Sequence, residues 1–514
     1  MNILISLFVV TLSGFVALSF EILLFRVYAF TTGATALSFG LVLGCFLVGI
    51  AGGALYSQKF CKKADAVGDR SQLIFPANAM ALTAVIGFII LPVIANSSLY
   101  VAWNATLPTV AILAAASGAV LPLVAHFGIP ADERVGQRLS WLYLANITGS
   151  ASGSLLTGFV LLDMMSLQNV ALFLSIVSAL TALLLYLVAG MNTKKTSLFV
   201  GVGLAGIVGA VLLANPMYNQ LYEKLMYKHT WSADKKFVQL IENRSGVISV
   251  SKNGTVFGGG VYDGAFNVSP IDDRNLLIRA YSIAGLHKAP KHILMIGLAT
   301  GSWAQVIAAN PQVEKLTIIE INPGYIELIS QHDVVKSLLK NPKVDIIMDD
   351  GRRWMLANPD RKFDVVVQNT SYHWRSHTTS LLSMEYHKLV SNHLNKDGFF
   401  FYNTTWYKNA MKTACSAFEH GYRVVNFMAV GNQPMSYSKD RMRAVLKEYS
   451  IDGKKVFDTT NSTHLKRLEE MANLHDSKRG ITKDEWLNDC GSIRTKYSDL
   501  EVITDDNMLP EWYR

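Results

Sequence analysis

The chain has 514 residues, enough for two or more domains, and a net charge of +8 spread along its length. No basic stripe with interleaved aromatics is present, which argues against nucleic acid as a partner. The four cysteines, Cys45, Cys61, Cys415 and Cys490, lack metal-ligand spacing, so no metal is expected.

Composition shifts near residue 215, from long apolar runs to an ordinary soluble sequence large enough to bury its own core. A spanning helix needs about 20 apolar residues. Seven stretches qualify, at 3–29, 34–57, 72–95, 100–127, 139–162, 169–190 and 197–214. They predict an N-terminal α-helical transmembrane bundle over 1–214, in contact with a lipid bilayer. The first stretch is too long for a signal peptide and lacks a charged leader, so it reads as a retained helix. Gly40 and Gly44, Gly49 and Gly53, and Gly149 and Gly153 recur at the four-residue spacing that lets helix backbones approach. Glu21 and Arg26 fall within the first span, where charge is expensive. Either Arg26 snorkels while Glu21 bonds inside the bundle, or the pair serves transport or a substrate.

Loops 58–70, 128–138 and 191–196 carry Lys59, Lys62, Lys63, Arg70, Arg134, Arg138, Lys194 and Lys195, whereas the alternate loops carry no Lys or Arg. The positive-inside rule then puts the N-terminus in the cytoplasm of a bacterial-type inner membrane. Seven spans put the soluble domain on the periplasmic face, where Cys415 and Cys490 can be oxidised. The cytosolic supply of most nucleoside cofactors argues for the opposite face.

Residues 215–235 read as a helical connector and 236–272 as a small β subdomain. Within it, Asn253-Gly254 is a hairpin turn, and Gly258-Gly259-Gly260 leads into Val261-Tyr262-Asp263-Gly264. Asp272 to Leu286 is predicted helical and feeds a core domain over 273–445. The centre of that domain is Lys291 to Glu320. A buried strand from His292 to Ile296 runs into the turn Gly297-Leu298-Ala299-Thr300-Gly301, then a helix from Ser302 to Asn310 and a strand from Lys315 to Ile319 ending at Glu320. This is the βαβ pattern of nucleotide binding: glycines admit a ligand to the backbone and the acid bonds ribose hydroxyls. A crossover without ligand is the alternative. The third strand, Lys343 to Met348, ends in Asp349-Asp350-Gly351-Arg352, where an acid serves either an adenine amino group or a helix N-cap. The fourth, Phe363 to Val367, ends in the polar, aromatic loop Gln368 to His377, at the edge where chemistry is expected. Met384 to Leu394 is predicted helical, Gly398 to Thr404 is a fifth strand, and 446–514 reads as a charged helical extension.

These motifs add up. Tyr262-Asp263-Gly264, the turn Gly297 to Gly301, Ile319-Glu320-Ile321-Asn322, Asp350-Gly351-Arg352, the loop after Val367 and Glu385-Tyr386-His387-Lys388-Leu389 together resemble the spermidine synthase (polyamine aminopropyltransferase) family over residues 237–405. With the apolar spans ahead, the chain resembles its membrane-embedded branch. The resemblance implies a Rossmann-like, methyltransferase-type α/β domain binding decarboxylated S-adenosylmethionine or its product methylthioadenosine. By position Glu320 would bind the ribose, Asp350 with Gly351 the adenine, and Gly297, Thr300 and Gly301 would form the turn. Asn267 stands where the family usually has Gln.

The departures bear on chemistry. Thr300 replaces the acid that holds an aminopropyl ammonium, Asn369 replaces the acid that helps deprotonate the amine, and Tyr372 replaces the loop's second acid. Losing these acids argues against a cationic diamine. Arg375, His373 and His377 suit an anionic or neutral group, and proton removal falls to Tyr372, His373 or His377. Intact S-adenosylmethionine should then be tolerated at least as well as its decarboxylated form. The expected activity is a transferase that moves or eliminates a group at sulfur, acting on a small molecule, rather than a standard putrescine aminopropyltransferase. Two alternatives stand beside it: an S-adenosylmethionine-dependent methyltransferase, and a non-catalytic nucleoside-binding module coupled to a membrane transporter or anchor. A homo-oligomer is left open.

Overall fold

The computed structural model describes residues 3–61, 70–130, 132–190, 193–369, 372–475, 488–508 and 511. Lys62, Lys63, Thr370 and Ser371 lie outside the described residues, as do the side chains of Arg70 and Lys195. The chain divides into two compact units, Met1–Val247 and Ile248–Arg514.

The first unit is a bundle of α1 (Ile3–Thr32), α2 (Ala36–Cys61), α3 (Ile74–Ser97), α4 (Leu107–Gly118), α5 (Val120–Gly128), α6 (Val135–Leu156), α7 (Leu162–Met164), α8 (Leu167–Val188), α9 (Thr193–Tyr218) and α10 (Leu221–Tyr227). Among the described residues, seven helical stretches are long and apolar enough to cross a membrane. They coincide with the seven predicted from sequence. One of them is interrupted between α4 and α5, and α6 ends in a π turn at Thr157–Leu161. The bundle also turns apolar side chains outward, including Leu47, Val48 and Leu55 on α2 and Val208 and Leu212 on α9.

Two of the three glycine pairs make close backbone contacts. A Cβ on Gly49 or Gly53 would collide with the backbone of Ala111 or Ala115, and one on Gly149 or Gly153 with that of Thr11 or Phe15. Gly40 and Gly44 face open space. Arg26 is buried. It donates through Nη1 to Asn243 O (2.7 Å) and through Nη2 to Gly246 O (2.8 Å), gripping the turn after β1 (Phe237–Asn243). Nearby Glu242 accepts from Tyr222 Oη (2.6 Å) and from the amide of Leu167 at the start of α8 (3.0 Å).

The division between the units falls inside β2 (Gly246–Ser251). In the second unit, β2 pairs with β3 (Thr255–Gly258), which pairs with β4 (Val261–Ala265), all antiparallel. The helix predicted from Asp272 begins later, as α11 (Ile278–Leu286), and the one after the glycine turn is α12 (Ser302–Ala308). The Asp273 side chain accepts from the amides of Asn275 (3.0 Å) and Leu277 (2.9 Å), holding 273–277 in a turn.

The main sheet contains β5 (His292–Ile296), β6 (Lys315–Glu320), β7 (Val344–Met348), β8 (Phe363–Gln368), β9 (Leu394–Asn403), β10 (His420–Val424) and β11 (Phe427–Gly431). A two-residue strand, Asn488–Asp489, adds to β10, and the order is Asn488–Asp489, β10, β11, β9, β8, β5, β6, β7. β7, β6, β5, β8 and β9 are parallel; β11 and β10 are antiparallel. The parallel strands read as continuous apolar runs because both faces are covered. Leu294, Ile296, Ile319, Val366, Phe400 and Tyr402 lie in the core beneath α14 (Gly351–Ala357), α15 (Met384–Ser391) and α16 (Lys408–Ala417).

Candidate functional site

Parallel register builds one edge. Ile296 pairs with Ile319 on one side and Gln368 on the other, Glu320 with Met348, and Gln368 with Tyr402. Glu320, Gly297, Asn369 and Asn403 therefore stand in a row, with Met348 beside Glu320 and Asp349 one position beyond it. The turn after β5 needs backbone that L side chains avoid. Gly297 and Gly301 have φ of 86° and 74°, and a Cβ on Gly301 would meet Ile329 of α13 (Gly324–Ser330) at 2.8 Å.

Glu320 stands next to Gly297 in this row, 4% exposed. Its Oε2 accepts from the amide of Leu298 (2.6 Å) and its Oε1 from that of Asn322 (2.8 Å). Burial raises its carboxyl above the usual range, the amides of Asn322, Leu298 and Ile321 pull it back, and nearby Asp263 adds to the rise. A carboxylate offers about four lone-pair sites. The Ile321 amide engages a third, and the oxygens so locked in place keep about one acceptor site for a sugar hydroxyl. The residues thus fit a ribose.

Asp350 caps α14, its Oδ1 accepting from the amide of Arg353 (2.8 Å). Gly351 opens that helix against Ile296. Thr300 is 3% exposed and donates to Ser302 Oγ (3.0 Å), which donates to Ala265 O (2.9 Å). Its methyl group lies against Gly264. Asn267 has both ends of its amide engaged, Nδ2 with Asp272 O (2.9 Å) and Oδ1 with the amide of Arg274 (3.2 Å).

The loop after β8 brings in four of the predicted side chains. Asn369, Tyr372, His373 and Arg375 are half-buried, whereas the ring of His377 is exposed. Tyr372 stacks on Trp374. His373 pairs through Nδ1 with Thr405 Oγ1 (2.7 Å) and stacks on Tyr407, with ring centroids 4.2 Å apart. Burial pushes its pKa down to about 4, so it is neutral at pH 7 and a weaker base than free imidazole. His377 has a left-handed backbone, φ 67°, and its amide donates to Glu511 Oε2 (2.8 Å) while that of Thr379 donates to Oε1 (2.9 Å).

Two further groups complete the site. Asp263 accepts a hydrogen bond from Tyr325 Oη on α13, and the Arg375 guanidinium lies beside Gly259 near that carboxylate. Burial raises the Asp263 carboxyl, and Tyr325 and Arg375 partly offset this. Asp263 is thus an acid beside the glycine turn in addition to Glu320 and Asp350, and it already has a guanidinium near it. Asp263 was visible in its Tyr-Asp-Gly motif but without a role; Tyr325 gives no sequence signal, since its partner is 62 residues away.

The segment after Asn488 reaches back to this edge. Asp505 takes a two-bond contact from Arg352 (2.8 and 2.5 Å) and one from Ser383 Oγ (2.6 Å). Glu511, 3% exposed, holds the loop amides described above. Upstream, Cys415 on α16 and Cys490 form a disulfide with Cα atoms 5.1 Å apart, both residues buried.

Fold and edge define an α/β domain of the Rossmann-like, methyltransferase type, its candidate site at the C-terminal ends of parallel strands. Residues 281–447 match the family model of the spermine/spermidine synthase domain. The second unit thus carries a domain of the spermidine synthase family. The chain is 34% identical over 85 residues to the polyamine aminopropyltransferase of Leptospira interrogans, covering 16% of this chain and 17% of that protein. It is 24% identical over 160 residues to that of Aeropyrum pernix, covering 30% and 49%, so these matches span less than half the length of either relative. It is 19% identical over 401 residues to that of Oceanobacillus iheyensis, covering 74% and 73%. The solved spermidine synthase from Thermotoga maritima is 16% identical, with a TM-score of 0.34, covering 46% of this chain and 85% of that one.

Proposed function

We propose that this protein is a membrane-anchored transferase of the aminopropyltransferase class that binds an adenosyl sulfonium compound and moves or eliminates its tail at sulfur. The observation that carries this reading is Glu320, held by two backbone amides beside the Gly297 turn. S-adenosylmethionine, its decarboxylated form and methylthioadenosine share the nucleoside that this edge fits. In transfer, a lone pair of the acceptor forms a bond to the tail carbon, the carbon–sulfur bond breaks, and its electrons leave a neutral thioether. The acceptor's proton must then go to a base. Thr300, tied to Ser302, and Asn369, an amide, supply no carboxylate, and Asp263 is matched by Arg375. The site is therefore poorly suited to a diammonium acceptor such as putrescine, because an unpaired ammonium is costly to desolvate.

The apolar spans anchor the protein in the bilayer. Eight basic residues in alternate loops support a cytoplasmic N-terminus and a periplasmic catalytic unit. The Cys415–Cys490 disulfide supports the same face, since such bonds persist in oxidising compartments.

The test supplies each donor separately, with and without putrescine, and follows products by chromatography. Methylthioadenosine release that does not need putrescine is expected, and S-adenosylhomocysteine would mark methyl transfer instead. Fast, putrescine-dependent release from the decarboxylated donor alone would identify an ordinary spermidine synthase. Glu320→Ala should weaken methylthioadenosine binding by about 1–3 kcal/mol, which is roughly five- to 150-fold. Equal binding by wild type and variant would remove Glu320 from the site.

A further inference from the structure

A row of amides runs behind the catalytic edge and ends on Asn369. Arg279, on α11, is 6% exposed and sits against the faces of Trp303 and Phe427. Its Nη1 donates to Asn426 Oδ1 (2.7 Å). Asn426 Nδ2 donates to Asn403 Oδ1 (2.8 Å), and Asn403 Nδ2 donates to Asn369 Oδ1 (3.1 Å).

The direction of this row follows from one fact: a guanidinium has no acceptor. Asn426 must therefore turn its oxygen to Arg279, which leaves its NH2 for Asn403. Asn403 must turn its oxygen to Asn426, which leaves its NH2 for Asn369. Asn403 Oδ1 also accepts from the amide of Thr405 (2.8 Å), which sets the same orientation independently. Asn426 is clamped a second time, its carbonyl accepting from the amide (2.9 Å) and hydroxyl (2.8 Å) of Thr404. The turn that presents it holds Val425 at φ 59°, a conformation β-branched residues avoid and that persists where the surroundings over-determine it.

We propose that Arg279, Asn426 and Asn403 are positioning residues that fix Asn369 as a hydrogen-bond donor, and that the site therefore selects an adenosyl sulfonium whose tail carries a carboxylate. With its Oδ1 occupied, Asn369 has its NH2 left to offer, and among the described residues that group meets no acceptor. The row of strand ends says what it meets. Glu320 lies on one side of Gly297 and Asn369 on the other, so a ligand with its ribose on Glu320 carries its tail across the turn toward Asn369. An ammonium there would face a second donor; a carboxylate gains a charge-assisted bond. This rests on the nucleoside reading above.

The experiment measures calorimetric binding of methylthioadenosine, S-adenosylmethionine and its decarboxylated form to the full chain in detergent. Wild type should bind the carboxylated donor about tenfold or more tighter than the decarboxylated one. Asn403→Asp touches no ligand, but a carboxylate cannot donate. Asn369 must then rotate to give its NH2 to residue 403 and turn its oxygen to the tail, and the preference should collapse by about tenfold or invert. Asn369→Asp should shift the preference the same way, and decides the matter if Asn403→Asp loses methylthioadenosine binding and hence its fold. A preference unchanged in a variant that still binds methylthioadenosine overturns the proposal. No methylthioadenosine binding by wild type overturns the nucleoside reading and this proposal with it.

Discussion

Reducing the Cys415–Cys490 bond should loosen the second unit by an amount the structure sets. The two residues are separated by 75 positions. In the chain-entropy account, closing a loop of that length removes about 15 cal/mol/K from the unfolded chain, or about 4.5 kcal/mol at 25 °C, as an upper figure for an effect that typically measures 2–4 kcal/mol. The unit Ile248–Arg514 has 514 − 247 = 267 residues. At roughly 2.1 cal/mol/K per residue its unfolding entropy is about 0.56 kcal/mol/K, so the loss corresponds to a fall in Tm of about 4–8 °C. Scanning calorimetry of the detergent-solubilised chain, with and without reductant and beside a Cys415→Ser, Cys490→Ser double variant, reads this shift. Thiol titration under denaturing, non-reducing conditions is the stricter check. Cys45 and Cys61 should react and the other two should not. Four reactive thiols in protein taken straight from membranes would refute the pairing, and would remove the disulfide from the argument for the periplasmic face.

Glu511→Ala strands two loop amides, each worth about 1–3 kcal/mol when buried without a partner. Hydrogen exchange over residues 372–380 should rise at least tenfold; unchanged protection would mean the loop holds itself. His387, fully buried, has its pKa pushed down to about 4 by desolvation. The unfolded chain binds a proton below about pH 6.5 that the folded one refuses, so this contribution is complete above pH 6.5 and is lost as pH falls toward 4. Denaturant midpoints should drop across that window, and His387→Gln should flatten the drop by up to one proton, about 1.36 kcal/mol per pH unit. A slope identical to wild type would place the proton uptake elsewhere.

What could be read from the chain alone was what adjacent residues encode. The Gly297 turn and Glu320 belong to one 30-residue pattern, and the spans are runs of composition. The Gly49 and Gly149 pairs were legible as helix contacts because spacing reports a helix face, yet the same spacing at Gly40 and Gly44 makes no contact. The hairpin of β10 and β11 was missed because its turn is Val425-Asn426, with a β-branched residue first and no glycine after the asparagine, unlike the Asn-Gly pair that announces a two-residue turn. Asp263 with Tyr325, and Arg279 with Asn426, join residues 62 and 147 positions apart. Only the folded sheet makes them neighbours.

The strap that holds the loop after β8 implies an order of assembly. His377 is bonded to a residue 134 positions downstream, and Arg352 to one 153 positions downstream. As the chain emerges from a ribosome or a translocation channel, β5 through β8 and Glu320 are all present while those anchors are still unmade. On the function proposed above, the nascent domain holds a nucleoside before it holds its loop. Binding and turnover should therefore appear at different chain lengths, the first once β9 has joined the sheet and the second only after Glu511 has arrived.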